Sequence, residues 1–270
     1  MPLLSFLVAL LQAVQIPAPT GLVNDFANVI PATQEQRIAR IAEDVRTKSR
    51  GEIAVVTLPN IGDRDVTEIA LRIGRDWGVG AIGDPGDPTR NAGAVILVVP
   101  KETSADGRGR CRIETGTGSE GFITDVTAGE ICRSATPLFA ARDYGGAIEL
   151  VTFAVAERFA AEFGFTVDTS LASSAVVARR APRDEPFPIG QIIFMLVLIM
   201  LISRMSRRGR SGRRGRTFLP VPIFLPTGRG RWGSGGGFGG GFGGGFGGGG
   251  GFGGFGGGGG FGGGGGGSSW

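Results

Sequence analysis

Histidine is absent from all 270 residues, lysine occurs only at Lys48 and Lys101, and cysteine only at Cys111 and Cys132. Without histidine there is no Ser-His or Cys-His nucleophile pair, no imidazole acid–base catalyst and none of the usual zinc sites. Neither lysine sits in a Ser-x-x-Lys pattern, so any chemistry falls to carboxylates, a hard metal ion or backbone donors. Negative charge is missing from Arg204 onward: all 24 acidic residues precede it, while nine arginines lie unopposed between Arg204 and the last residue. The rest of the chain carries 19 basic against 24 acidic groups, so the overall +4 averages an acidic part with a basic one. This is not the pattern of a basic nucleic-acid-binding domain. Arginines confined to one stretch read as a topology signal and a contact to anionic headgroups.

Long apolar runs are scarce as well, and the two that exist organise the chain. FPIGQIIFMLVLIMLISRMSRRGRSGRRGR, from Phe187 to Arg216, joins an apolar segment to seven arginines. As a helix its apolar part reaches roughly 24 Å, a little short of the ~30 Å hydrocarbon core, and the arginines mark the cytoplasmic flank of a membrane span. The expectation is one transmembrane helix at 188–203, preceded by a linker at 167–187 and followed by a basic juxtamembrane segment at 204–232. TFLPVPIFLP, at 217–226, is too short and too proline-broken to span; it lies in the interface or forms a re-entrant hairpin. At the other end, Leu3–Leu11 has the length of a signal-peptide hydrophobic region inside a signal peptide at 1–18, although no basic residue precedes it. Together these segments predict a single-pass protein of a bacterial cell membrane. Its N-terminal domain is periplasmic and its C-terminal tail cytoplasmic, with membrane lipids and membrane proteins as partners and no nucleic acid.

Between the two runs the pattern alternates. Pro31–Lys48 carries Ile38, Ile41, Ala42 and Val45 at helical spacing, and Val66–Trp77 is a second amphipathic helix ended by Gly78 and Gly80. Glu52–Leu58, Ala94–Val99 and Cys111–Thr115 read as strands, the middle one apolar throughout, as for a strand covered on both faces. Helices are expected again at Ile123–Pro137 and Tyr144–Glu162. The sum is a small sheet with helices on its faces, one domain at 21–166. Gly233–Trp270 is almost pure glycine with Phe238, Phe242, Phe246, Phe252, Phe255 and Phe261 spaced through it. Its composition predicts disorder, with self-association through the aromatics as a further role.

Six blocks then carry a resemblance: VNDFANVI at 23–30, GEIAVVTL at 51–58, DWGVG at 76–80, NAGAVILVVP at 91–100, RIETGTGSEGFITD at 112–125 and ARDYGGAI at 141–148. In order and spacing they resemble the TPM-domain family. The succession of signal peptide, domain, membrane helix and glycine-rich tail ending in tryptophan is similar to its bacterial membrane-anchored subgroup. The resemblance implies an α/β fold, an α/β/α sandwich. It also implies a divalent metal, Ca2+, at positions matching the family's acidic ones: Asp25, Glu120, Asp125 and Asp143, with Asn91 aligned where the family writes an acid and so bringing no charge. Two functions follow from it. One is a non-enzymatic envelope protein supporting assembly or maintenance of membrane protein complexes; the other is a phosphatase-like hydrolase in which the cation polarises a phosphoryl oxygen.

The same residues have ordinary structural uses. Asp125 can cap the helix beginning near Val126, Asn24 and Asp25 can shape an Asx turn into the first helix, and Glu120 can be a solvated loop residue. Gly116, Gly118 and Gly121 form a strand-to-helix loop whose amides can cradle an anion. Cys111 shares strand parity with Ile113, and Cys132 lies beside Ile131 on the next helix. They are either a disulfide closing a loop of about 20 residues or two buried thiols.

Overall fold

Strand order follows chain order. β1 (Val23–Asp25), β2 (Glu52–Thr57) and β3 (Gly93–Val99) run parallel, β4 (Arg110–Gly116) is antiparallel to β3, and β5 (Phe261–Ser269) is antiparallel to β4. The helices are α1 (Ala32–Ser49), α2 (Val66–Trp77), α3 (Asp125–Ala140), α4 (Tyr144–Phe163) and α5 (Ser174–Arg180). The computed structural model describes residues 16–180, 199–200 and 252–270. Most of the expected signal peptide and of the expected membrane helix at 188–203, and all of 204–232, lie outside the described residues. Among the described residues no helix is long and apolar enough to cross a membrane.

Strand alternation divides the core in two. Ile53, Val55, Ala94, Ile96 and Val98 face α1, α3 and α4, meeting Ile38, Ile41, Val45, Phe139 and Val151. Ala54, Val56, Val95, Leu97 and Val99 face α2, meeting Ile69, Ala70 and Ile73. Every residue of β2 and β3 is buried, which accounts for their unbroken apolar runs. This is the three-layer α/β/α arrangement that the sequence predicts. The second helix begins where Asp65 accepts the Thr67 N–H at 2.7 Å and stops at Gly78, whose φ of 66° the glycine adopts without a Cβ clash. Cys111 and Cys132 are joined in a disulfide, which pins β4 to α3.

Two expectations are corrected. The linker at 167–187 is not all tether: a 3₁₀ turn at Thr169–Leu171 and α5 fold back onto α4, with Ala172 and Val176 buried and Ser173 N–H donating to the Glu149 carboxylate. The glycine-rich tail is not disordered throughout. Its last 19 residues, Phe252–Trp270, belong to the same compact unit as the domain, and Phe261–Ser269 is the fifth strand. The compositional argument fails because the ordering comes from outside the segment: β4 supplies the hydrogen-bonding edge, and glycine allows the approach.

Candidate functional site

The five residues implied as metal ligands divide between the two ends of the sheet. Asp25 closes β1, in register with Thr57 and, through it, Val98. Its carboxylate accepts the Val29 N–H at 3.2 Å, the Ile30 N–H at 2.7 Å and the Thr57 hydroxyl, which is the expected Asx-type entry into α1. Asp143 is at the same end; it caps α4, accepting the Gly146 N–H at 3.0 Å, beside Gly145, which packs against Pro31 and Gln34 at the start of α1. Asn91, Glu120 and Asp125 flank the start of β3 and the end of β4. There Ala94 pairs with Thr115, four residues from Val98 along β3, or about 13 Å away.

Local geometry accounts for each of these. Asn91 is left-handed (φ 54°), a conformation asparagine tolerates, and its carbonyl accepts from Gly93 N at 2.9 Å and Gly118 N at 3.2 Å. Thr124 rather than Asp125 caps α3. In the glycine loop the Thr117, Gly118 and Ser119 amides already donate to Gly260, Asn91 and Gly116 carbonyls, so they do not form an open anion cradle. Among the described residues no three His, Cys, Asp or Glu are grouped to hold a metal. Calcium takes six to eight oxygens. A donor set divided between two ends of a sheet, with Asp25, Asp125 and Asp143 engaged by backbone N–H groups, does not fit it.

What Asn91, Glu120 and Asp125 share is the tail. Asp125 accepts the Gly265 N–H at 2.7 Å, a Cβ on Gly262 or Gly264 would lie 3.0 Å from a Glu120 carboxylate oxygen, and one on Gly260 would lie 2.5 Å from the Asn91 amide. They line successive positions of a groove floored by β4 and walled by α3, into which β5 is laid. Glu52 extends it, accepting the Gly256 N–H at 2.9 Å and the Gly80 N–H at 2.7 Å. Thr117 N donates to Gly260 O at 2.7 Å, Arg75 to Phe261 O at 2.7 Å, and Gly109 and Trp270 exchange backbone bonds at 3.2 Å.

Side chains anchor the strand at both ends. Phe261 is 4% exposed, inserted among the α2-side core residues over Gly74. Trp270 stacks on Phe139 with ring centroids 4.3 Å apart and an interplanar angle of 8°, resting on Gly109, and upstream Phe255 stacks on Trp77 at 6.0 Å. Between the anchors the closest approaches of the strand require glycine. A Cβ on Gly266 would lie 2.2 Å from the Asp125 carbonyl oxygen, and one on Gly265, itself at φ 132°, would lie 2.1 Å from the Ile113 carbonyl oxygen. Reasoning from the sequence took the glycines as disorder and missed this; the usable signal was Phe261 and Trp270 bracketing an uninterrupted glycine–serine run.

Two acids are buried in or beside the groove. Burial pushes the Glu52 carboxyl up, against the lowering effect of the Gly256 and Gly80 amides and of Arg46. Burial likewise raises Glu114, which is fully buried, against its ion pair with Arg112 at 2.7 Å. A carboxyl raised by folding contributes stability that is full below its ordinary value of 4.5 and is lost as pH climbs through the folded value. Glu52→Gln removes that titration. Wild type is therefore expected to lose stability relative to Glu52→Gln as pH rises from about 4 to about 8, read from denaturation midpoints across that range. A difference that stays constant with pH would contradict it.

Residues 23–158, 136 of the 270, match the TPM domain family. No curated protein matches the chain. Among the solved structures that resemble it are two determined by solution NMR. The N-terminal domain of a protein from P. gingivalis is 28% identical, with 58% of this chain and 90% of that one covered and a TM-score of 0.46. The N-terminal domain of the cg2496 protein from Corynebacterium glutamicum is 18% identical, with 60% and 89% covered and a TM-score of 0.38.

Proposed function

The chain belongs to the TPM domain family, and from that premise we propose that it is a membrane-anchored envelope protein acting without catalysis, whose domain receives extended chain segments at the outer edge of β4 and so supports the assembly or maintenance of membrane protein complexes. The observation that carries this reading is β5: main-chain pairing along seven β4 residues, with aromatic anchors at the strand's ends, is the recognition mode of a sheet that captures extended partners. Export and a membrane anchor at 188–203 belong to the proposal. The one-sided arginine run supports them, and the Cys111–Cys132 bond suits an oxidising compartment. The hydrolase reading gains no support, because its carboxylates are divided between the two ends of the sheet.

On topology the proposal departs from the single-pass expectation. A strand and the sheet it completes occupy one compartment, so residues 252–270 are extracytoplasmic along with the domain. On this reading the two described segments that flank residues 181–251 lie on the same side of the membrane. Gly121 and Gly253 provide the test. Both are exposed, a Cβ at either meets nothing within 4 Å, and both native cysteines are disulfide-bonded. Gly121→Cys and Gly253→Cys, made singly in the full chain, should both react with a membrane-impermeant maleimide on intact cells. Labelling of Gly253→Cys only after lysis would return the tail to the cytoplasm and sink the reading.

A further inference from the structure

We propose that the groove on the outer edge of β4 is also a docking site for the tail of a second copy of this chain, so that neighbouring copies exchange their β5 strands. The inference rests on the strand-receiving reading above and names its partner. The groove sets three demands on an occupant: an aromatic residue for the α2-side core, an aromatic residue nine positions later for the face of Phe139, and residues without a Cβ where Gly265, Gly266 and Gly267 approach the backbone of β4 and α3. At Gly267, too, a Cβ would lie 2.4 Å from the Cys111 carbonyl oxygen. Another copy's Phe252–Trp270 meets every demand, because recognition is by main chain and two rings and nothing in it distinguishes self from neighbour.

Covalent geometry allows the exchange. Seventy-one residues, 181–251, separate the domain from the tail, and they can span up to roughly 230 Å when extended. The same strand can therefore be delivered to its own β4 or to that of a neighbour with identical bonds, the condition under which strand swapping costs little. A chain's own tail is favoured by its high effective concentration, so exchange rises as copies crowd together. Reciprocal exchange closes a dimer, and one-way exchange builds an open series of copies.

The test separates donor from acceptor in the full chain, purified in detergent. Gly266→Val makes a tail that collides with the Asp125 carbonyl while leaving the groove intact. Gly109→Val fills the Trp270 seat, where a Cβ would lie 2.1 Å from the indole, while leaving the tail intact. By light scattering each variant alone should have the mass of one chain, and an equimolar mixture should yield a species of two chains. A synthetic peptide of residues 252–270 calibrates the result and should bind the Gly266→Val chain but not the Gly109→Val chain. Peptide binding without a two-chain species would overturn exchange and leave the strand-receiving reading standing. Failure of the peptide to bind the Gly266→Val chain would overturn both.

Discussion

Phe261→Ala is expected to destabilise the protein by about 3–5 kcal/mol, the usual cost of truncating a buried phenylalanine to alanine. The ring fills the space over Gly74 between α2 and the sheet, where a Cβ on Gly74 would lie only 2.8 Å from it, so the cavity left behind cannot close around a smaller side chain without moving the helix. The loss has a ceiling: once it exceeds the free energy with which residues 252–270 dock, the tail leaves the sheet and further truncation costs nothing. Hydrogen exchange distinguishes the two regimes. Below the ceiling β4 amides stay protected, and at the ceiling those that donate to β5 exchange as an open edge does. A stability change within about 0.5 kcal/mol, the range of ordinary surface substitutions, would mean that the strand contributes little to the fold.

Loss of the Cys111–Cys132 bond should cost about 3 kcal/mol in the chain-entropy model, for a sequence separation of 21. The expected result is a lower denaturation midpoint for Cys111→Ala/Cys132→Ala, or for the reduced protein, with a steeper denaturant slope because the unfolded chain is released from its cross-link. No shift would show that packing of α3 on β4 is sufficient without the bond. The bond also has a local consequence. β4 is the floor of the tail groove and α3 its wall, and Asp125 at the head of α3 holds Gly265. A reduced protein that stays folded should therefore release its tail at lower denaturant than the oxidised one.

Much of the fold was legible in the sequence because side chains wrote it there. Ile38, Ile41, Ala42 and Val45 trace one helix face, and the apolar run at Ala94–Val99 admits only a strand covered on both sides or a short buried helix, a choice its β-branched residues decide. β1 escaped notice because three residues, VND, carry no periodicity. β5 escaped for a stronger reason: from Gly262 to Gly267 it has no side chains to alternate, and the information for it lies in the partner, in the collisions that a Cβ on Gly265, Gly266 or Gly267 would make with β4 and α3. The acidic residues show a different limit of the sequence. Their place in the family blocks implies that Asp25 and Asp125 are metal donors. In the structure one forms a turn into a helix and the other receives a strand, both by accepting backbone N–H groups, which a carboxylate does as readily as it binds a cation.

The pairing of β4 with β5 also sets a schedule for making the protein. In the sheet Glu114 lies opposite Gly265, 151 residues later in the chain. At ribosomal rates of about 5–20 residues per second, roughly 8–30 s pass between synthesis of the one and arrival of the other. Throughout that interval β4 has an unpaired outer edge, the feature by which nascent sheets adhere to one another. A chain interrupted in synthesis is thus marked by an open edge that a finished one has covered, and the wait ends only when the glycine strand emerges to seal it.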